Sequence, residues 1–507
     1  MARLFTSLKS EPRHKYDVVV IGAGIGGLIC ANLLARAGLA VLLVEQHYVV
    51  GGYTQCFKRK GFTFDAATHF YPLLGNPTTI TGKLLSEIGV NIPWVKMDPV
   101  DQFHFPDGTS FSVPADFDLY MNKLKGEFPH EAAAIDAFFG VVREVYMLGL
   151  LEFFRSQHSE RIEPYLGLTL RDALDQYFSD PKLKLLLTAD CPHWGSPPSR
   201  TSFVFDSTLR LSYFLGNYYP GSGSQFFADS LARRFQELGG DILMPSRVQR
   251  IIVDKNAVRS VEVETGSRRA PSIKEIQTDV VVSNADLRLT VENLVGEHHF
   301  PQEYLESYRN LRPTFPCFLT HLGVRDVSTE HLQKVQGYYW DEWDSDNAGT
   351  SALKFKLFVP TLFEPNLAPP GCHVLIVQKV MDINFDGVED WPAHKARTED
   401  FVMKNLEKII PGLSEKTVVK LSASALTSQR FTLNYQGAML GWEMSPDQLG
   451  SKRPGVRSPI DQLYFVGHWV QPGGGITPVI ISAMQAAKFI TRQFSLDRAE
   501  YSAIPGN

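Results

Sequence analysis

Apolar residues fall along the chain in two alternating patterns. Residues 16–21 read YDVVVI, a short unbroken apolar run bounded by polar residues and glycine. That is the pattern of a strand buried on both faces of a parallel sheet. Leu28, Ala31, Leu34 and Ala35 then recur at helical spacing, with Gly38 as a stop, and residues 40–44 (AVLLV) predict a second buried strand closed by Glu45. Farther on, residues 226–238 predict an amphipathic helix, 243–248 a strand and 479–490 a helix. Residues 134–154 (AIDAFFGVVREVYMLGLLEFF) predict a helix with a wide apolar face. Two readings of that face stand: a helix buried in the core, or a face docked on a bilayer with Phe153, Phe154 and Arg155 at the interface. Residues 352–359 and 373–377 read as strands flanking a Pro-rich turn at 367–371, which predicts an antiparallel sheet.

The junction of the first strand and helix carries the first chemistry. Gly22-Ala23-Gly24-Ile25-Gly26-Gly27 is a GxGxxG loop, followed after roughly twenty residues by an acid, Glu45. Gly22 permits the tight turn, Gly24 lets backbone approach a pyrophosphate, and Gly27 permits close helix packing. The helix start around Ile25 and Gly26 presents free N–H groups to phosphate. Glu45 suits ribose hydroxyls and would repel a 2′-phosphate. A strand before the loop, a helix after it and an acid at the right distance raise this above a chance glycine cluster.

Composition narrows the field. The chain has 507 residues, which implies two or three domains. A formal net charge of -5, with both signs interspersed, gives no footprint for nucleic acid. Cys30, Cys56, Cys191, Cys317 and Cys372 are scattered, with no CxxC spacing, so neither a zinc site nor a disulfide framework is expected, and a reducing compartment such as the cytoplasm is. No secretory h-region and no run of 18 apolar residues is present; the expectation is a chain that is soluble or rests on a membrane surface. No GxSxG, HExxH or P-loop occurs. The His298-His299 pair lacks ligand spacing.

Several further segments sharpen the dinucleotide reading. They are the Gly51-Gly52 pair, GFTFD (61–65), YYPGSGSQFFADSLARRFQELGGDI (218–242), VVVSNADL (280–287) and LYFVGHWVQPGGGITP (463–478). Together with residues 17–45 they resemble the phytoene desaturase, carotenoid isomerase and retinol saturase group of flavoproteins, within the amine-oxidase-like fold. The resemblance implies FAD as cofactor. It also implies flavin-ring and ribityl contacts from Gly467, Gly474 and Ile476, and an adenine contact from backbone near Val248. This sequence departs from the group at His468, where Asp is common; at Ala67, where Gly is expected; and at Ser222, where Gly is usual. His468 can donate a hydrogen bond to ribityl or phosphate oxygens.

The fold expected is α/β: a Rossmann-type FAD-binding domain with an inserted substrate domain, part mixed sheet and part helical. The FAD domain is discontinuous, at 1–84, 206–304 and 421–507. Residues 85–205 form a helical, substrate- or membrane-facing insertion, and 305–420 a β-rich substrate domain. Candidate catalytic groups are His69, after the GFTFD strand, and His468; the loop 190–194 (DCPHW) is a further candidate. The function expected is desaturation, saturation or cis–trans isomerisation of a long apolar polyene. With one dinucleotide fingerprint, the electron acceptor is expected to be oxygen or a quinone, unless the reaction is redox-neutral. Two alternatives stand beside it: a flavin amine oxidase, and a non-enzymatic carrier of prenylated proteins on the same fold.

Overall fold

The computed structural model describes residues 3–8, 11–67, 70–154, 157–188, 194–267, 270–349 and 351–502. The chain opens on β1 (Lys15–Ile21), α1 (Ile25–Arg36) and β2 (Val41–Val44), in the order expected from the sequence. β1 pairs in parallel with β2 on one side and with the strand Ala270–Ser283 on the other, so that Val18 lies opposite both Val41 and Val280. Val18, Val19 and Val20 are fully buried, as an unbroken apolar run requires when helices cover both faces of a sheet.

Seven strands make this first sheet. Asp241–Leu243 extends it in parallel beyond β2, and Leu463–Phe465 pairs in parallel with the end of Ala270–Ser283. The early part of Ala270–Ser283 runs antiparallel to Ala257–Ser267, which pairs with Arg247–Asp254. The strand expected at 243–248 is therefore two strands with a break at 244–246. The cause is Pro245, which has no N–H to give to a ladder. At the break Met244 N donates to Ser7 Oγ, and Ser246 N donates to Glu45 O. α1 lies between the sheet and two helices, Ser224–Glu237 and Ile476–Ser502. All its residues but Leu33 and Arg36 are buried, so it is apolar nearly all round.

A second seven-stranded sheet stands apart. Its order is Thr417–Ala423, Cys317–Arg325, Cys372–Val380, Lys354–Phe358, Gly337–Trp340, Asp101–His104 and Ser110–Val113. The pairing of Lys354–Phe358 with Cys372–Val380 is antiparallel, as the alternating pattern predicted. Asp101–His104 and Ser110–Val113 come from a stretch read from sequence as helical; each is only four residues long, too short for its period to stand out. One face of the sheet packs under the helix Trp391–Ile409 through Val402 and Leu406.

Residues 132–154 settle the question of the wide apolar helix. Ala132–Gly149 is α-helical and continues as a π-helical turn, Leu150–Phe154. Ile135, Phe138, Phe139, Val142 and Val145 are buried against Leu174, Phe178 and Phe203. The helix thus turns its apolar face inward. Gly149 is packed so closely on the helix Phe203–Ser212 that a Cβ there would lie 2.7 Å from Thr208 Oγ1. Among the described residues no helix is long and apolar enough to cross a membrane. The four cysteines among them, Cys30, Cys56, Cys317 and Cys372, are free thiols.

Phe138 anchors this helical core, its ring meeting those of Phe139, Tyr177, Phe178 and Phe203. Phe138→Ala is expected to cost about 3–5 kcal/mol, transfer and cavity terms together. Denaturant unfolding followed by near-UV circular dichroism measures it; a loss under ~1 kcal/mol would show a core loose enough to close the gap.

Candidate functional site

A large cavity, about 670 Å³, runs from the glycine loop at the end of β1 into the helical region. At one end it is built of backbone. Gly22 has φ +93°, and Gly27 sits behind the wall, where a Cβ would lie 2.0 Å from Gly22 O. This contact sets how closely α1 can approach the loop. Gly24 caps α1 without a side-chain hydrogen bond, and the first turn holds no acidic residue. Its N–H groups therefore face the cavity with the positive end of the helix dipole behind them. The helix Ile476–Ser502 points its own N-terminus at the same cavity through Gly474, Gly475 and Ile476. Two helix N-termini converging on one concave site favour an anion.

The wall holds nearly every residue expected from the sequence. Gly22, Gly24, Ile25, Gly26, Glu45, Gly51, Gly52, Val248, Gly467, His468, Gly474 and Ile476 all line it, and Gly27 supports it from behind. Gly51 N donates to Ala23 O over 2.8 Å, and Gly52 lies so close that a Cβ there would stand 3.2 Å from Gly24 Cα. Gly474 tolerates no side chain, because a Cβ would lie 2.3 Å from Leu440 O. Ala67, where the resemblance expected glycine, lines the cavity as well. Ser222, the other departure from glycine, has φ +70°, a conformation glycine adopts without strain. His69 and residues 190–193 lie outside the described residues.

Glu45 follows β2 directly, with its carboxylate turned to the loop. Oε2 accepts from Ala23 N and Oε1 from His47 N, both over 2.7 Å. Burial pushes its pKa up, and these N–H groups pull it back. Each carboxylate oxygen keeps a lone pair for a ribose hydroxyl.

Three polar residues on the wall escaped the motif reading. Asn284 projects its amide over the glycine loop: a Cβ on Gly24 would lie 2.8 Å from its Nδ2, and one on Gly26 2.5 Å from its Oδ1. The amide can offer donors to a diphosphate beside the helix N-terminus. Asp286 accepts from Leu289 N and Tyr435 N, which pins the 433–437 loop to the end of the Ala270–Ser283 strand. Burial pushes its carboxyl up to about 6, against the pull of those N–H groups. Asn434 connects Tyr53, His468 and Trp469. Both Asn284 and Asp286 belong to the VVVSNADL segment, so the signal was present, but a strand end carries no periodicity that marks a side chain as facing a ligand.

The far end of the cavity is apolar. Leu150, Phe153, Phe205, Leu209, Met444 and Leu449 line it, with Trp194 and Tyr146. Leu150 and Phe153 come from the π-helical turn, a break that turns side chains off the regular helical path at a functional site. Phe153 thus faces the cavity, not a bilayer; the side chains of Phe154 and Arg155 lie outside the described residues.

A sequence profile of flavin containing amine oxidoreductases matches residues 25–491. The chain is 26% identical over 513 residues to a chloroplastic prolycopene isomerase of Daucus carota, covering 96% of this chain and 81% of that one. It is 27% identical over 514 residues to an all-trans-retinol 13,14-reductase of Rattus norvegicus (90% and 83%). With a lycopene-forming phytoene desaturase of Pseudescherichia vulneris it shares 26% over 499 residues (93% and 98%). Among solved structures, an oxidoreductase from Methanosarcina mazei superposes with a TM-score of 0.66 at 18% identity, covering 93% of this chain and 99% of that one. A cyclohexylamine oxidase from Brevibacterium oxydans gives 0.63 at 16% identity, covering 95% and 100%. These two show the fold.

Gly24→Val is expected to abolish FAD retention, because a branched side chain would meet both the Asn284 amide and the approaching diphosphate. The ratio of flavin to protein absorbance in the purified variant reads this; full occupancy would place the cofactor elsewhere. A second test uses Asp286. Its raised pKa means that the folded chain binds a proton more tightly than the unfolded chain between about pH 4 and pH 6. Stability from this group is therefore lost as pH rises through that window, by up to about 3 kcal/mol at ~1.4 kcal/mol per pH unit. Melting of the FAD-free chain beside Asp286→Asn should show the difference between the two shrinking from pH 4 to 6. A constant difference would mean that the carboxyl titrates normally.

Proposed function

The chain belongs to the flavin containing amine oxidoreductases and is an FAD-dependent enzyme, and we propose that it acts on a long, apolar polyene of the carotenoid or retinoid kind. The carrying observation is the apolar arm of the cavity, continuous with the glycine loop and walled by Leu150, Phe153, Phe205, Leu209, Met444 and Leu449. A chain of conjugated double bonds could lie along such an arm with few polar groups to desolvate. The relatives' names point the same way: they act on prolycopene, phytoene and retinol.

Bound FAD would supply hydride acceptance and return, chemistry that no side chain here provides. The protein's own contribution is positional and electrostatic. The N-termini of α1 and Ile476–Ser502 offset the charge of the diphosphate. Glu45 takes the ribose of the adenosine half, with Val248 and Ser246 beside it. Leu150, Phe153 and Leu449 keep water from the substrate arm and align it. A polyene delocalises charge as a hydride leaves, so the site needs no strong base, in keeping with the burial that pushes His468 down to about 4. His69 stays a second candidate on the flavin face. Oxygen or a quinone would reoxidise the cofactor, unless the reaction is a redox-neutral isomerisation.

Delivery of such a substrate supports contact with a membrane surface. Ile80 and Leu215 line the cavity and are also 45% and 44% exposed. Asn76, four residues before Ile80, donates from Nδ2 to Leu215 O, which ties the Leu215 turn to the segment leading into the helix Ile80–Ile88. Ile80 and Leu215 form an apolar lip at which a lipid-soluble molecule could pass from bilayer to protein, in place of the helix face first considered.

Anaerobic incubation of the holoenzyme with a panel of carotenoids and retinoids, following flavin absorbance and product mass, tests the reading. Loss of two hydrogens is desaturation, gain is saturation, and unchanged mass with a shifted spectrum is isomerisation. If no polyene alters the flavin or is itself altered, the substrate class is wrong. In a sedimentation assay with phosphatidylglycerol-containing vesicles, the double variant Ile80→Glu/Leu215→Glu should lose most vesicle-bound protein; equal binding would sink the proposed lip.

A further inference from the structure

Trp469, Asn434, His468 and Tyr53 form one connected group on the cavity wall. The indole Nε1–H of Trp469 lies 2.9 Å from Asn434 Oδ1. An indole can only donate, so the atom it faces must be the amide oxygen. The other end of the amide agrees. Asn434 Nδ2 donates to Tyr53 Oη over 3.1 Å, while the Tyr53 hydroxyl donates to Ala438 O, also over 3.1 Å. The orientation of the amide is thus fixed from both sides.

His468 Nε2 lies 3.3 Å from that same amide oxygen. The oxygen has no proton to give, so the contact is a hydrogen bond only when Nε2 carries the hydrogen. Burial disfavours the imidazolium, and among the described residues no carboxylate pairs with the ring. A neutral ring holds one proton, which places it on Nε2. Nδ1 is left with a lone pair and no hydrogen-bond partner among the described residues, on a side chain that lines the cavity.

We propose that Trp469, acting through Asn434, locks His468 in the Nε2–H tautomer, and that Nδ1 is the acceptor by which this wall recognises a hydroxyl or imide N–H on a bound molecule. The polarity is opposite to the one expected from sequence, where His468 would donate to ribityl or phosphate oxygens. The recognised donor belongs to the flavin dinucleotide or to the substrate, and the chemistry at Nδ1 is the same in either case. Trp469 and Asn434 are positioning residues; His468 makes the contact.

Three full-length variants separate the roles. His468→Asn keeps an acceptor close to the place of Nδ1. His468→Gln reaches the place of Nε2 and loses the Nδ1 acceptor. Asn434→Asp sets a carboxylate against Nε2–H, which favours the imidazolium and puts a proton on Nδ1. FAD dissociation constants are measured by quenching of flavin fluorescence, and KM with the polyene that the holoenzyme turns over. His468→Asn should stay within about threefold of the parent, whereas His468→Gln and Asn434→Asp should weaken by about tenfold or more, the scale of one lost buried hydrogen bond. The loss falls in FAD affinity if the donor is on the flavin, and in KM alone if it is on the substrate. Parent-like values of both constants in His468→Gln and Asn434→Asp overturn the proposal, as does a His468→Asn chain as weak as His468→Gln. Nitrogen-15 NMR of labelled histidine in the parent holoprotein, with His468 assigned by its absence from a substituted chain, reads the tautomer directly. A protonated Nε2 and a bare Nδ1 are expected; the reverse overturns the assignment. The inference rests on the cavity being the flavin site. A parent chain that binds FAD but alters no polyene sinks only the substrate reading, and leaves the affinity and NMR arms decisive.

Discussion

At Gly27 the backbone of α1 comes so near the carbonyl of Gly22 that a single carbon would not fit between them. That contact brings the start of the helix up against the end of β1, with its unpaired N–H groups directed into the cavity. The other anion-favouring parts are placed relative to it. Gly51 and Gly52 pack on the loop from one side, the Asn284 amide lies over it, and Gly467 approaches the same amide from the last strand. A helix N-terminus standing farther out would leave these groups around no common point. The electrostatics of the site are thus a consequence of sterics, because an oriented set of amides costs nothing to align once the backbone is locked.

Local pattern revealed the parts of this molecule whose logic is local. The strand–loop–helix–strand of residues 15–45 could be read because burial on both faces leaves an unbroken apolar run, and because glycine is needed where no Cβ fits. The helical face at 132–149 was equally plain as a pattern, though the pattern could not say what covered it; Leu174, Phe178 and Phe203 do. The short strands at 101–113 were hidden, since four residues do not establish a period. The break at Met244–Ser246 was hidden too, although Pro245 signals it in retrospect.

The candidate site divides along the same line. Its dinucleotide end rests on motifs contiguous in sequence, and the structure gathers their residues onto one wall. Its apolar arm is assembled from Tyr146, Phe205 and Leu449, which lie in three separate stretches of the chain, and no spacing rule joins them. The polar relay of Trp469, Asn434 and His468 lies between these extremes. His468 drew notice as a departure from a family pattern, but its hydrogen-bonding sense depends on Asn434, which nothing in its own neighbourhood marks out. Residue chemistry was legible wherever the backbone alone dictates it, and illegible where it depends on a partner brought in by the fold.

The strand Ala270–Ser283 serves two neighbours at once, a hairpin along its first half and β1 along its second, with Leu463–Phe465 closing its remaining edge. A ribosome makes those halves far apart in time. The hairpin and β1 can pair as soon as residue 283 has emerged, but the closing strand appears only after a further stretch as long as a whole small domain. Until then a nascent chain carries an apolar edge with unmet amides, the kind of surface that invites pairing with a neighbour. A chain shortened by its last fifty residues would keep its nucleotide fingerprint and yet leave that edge open to pairing with a neighbour.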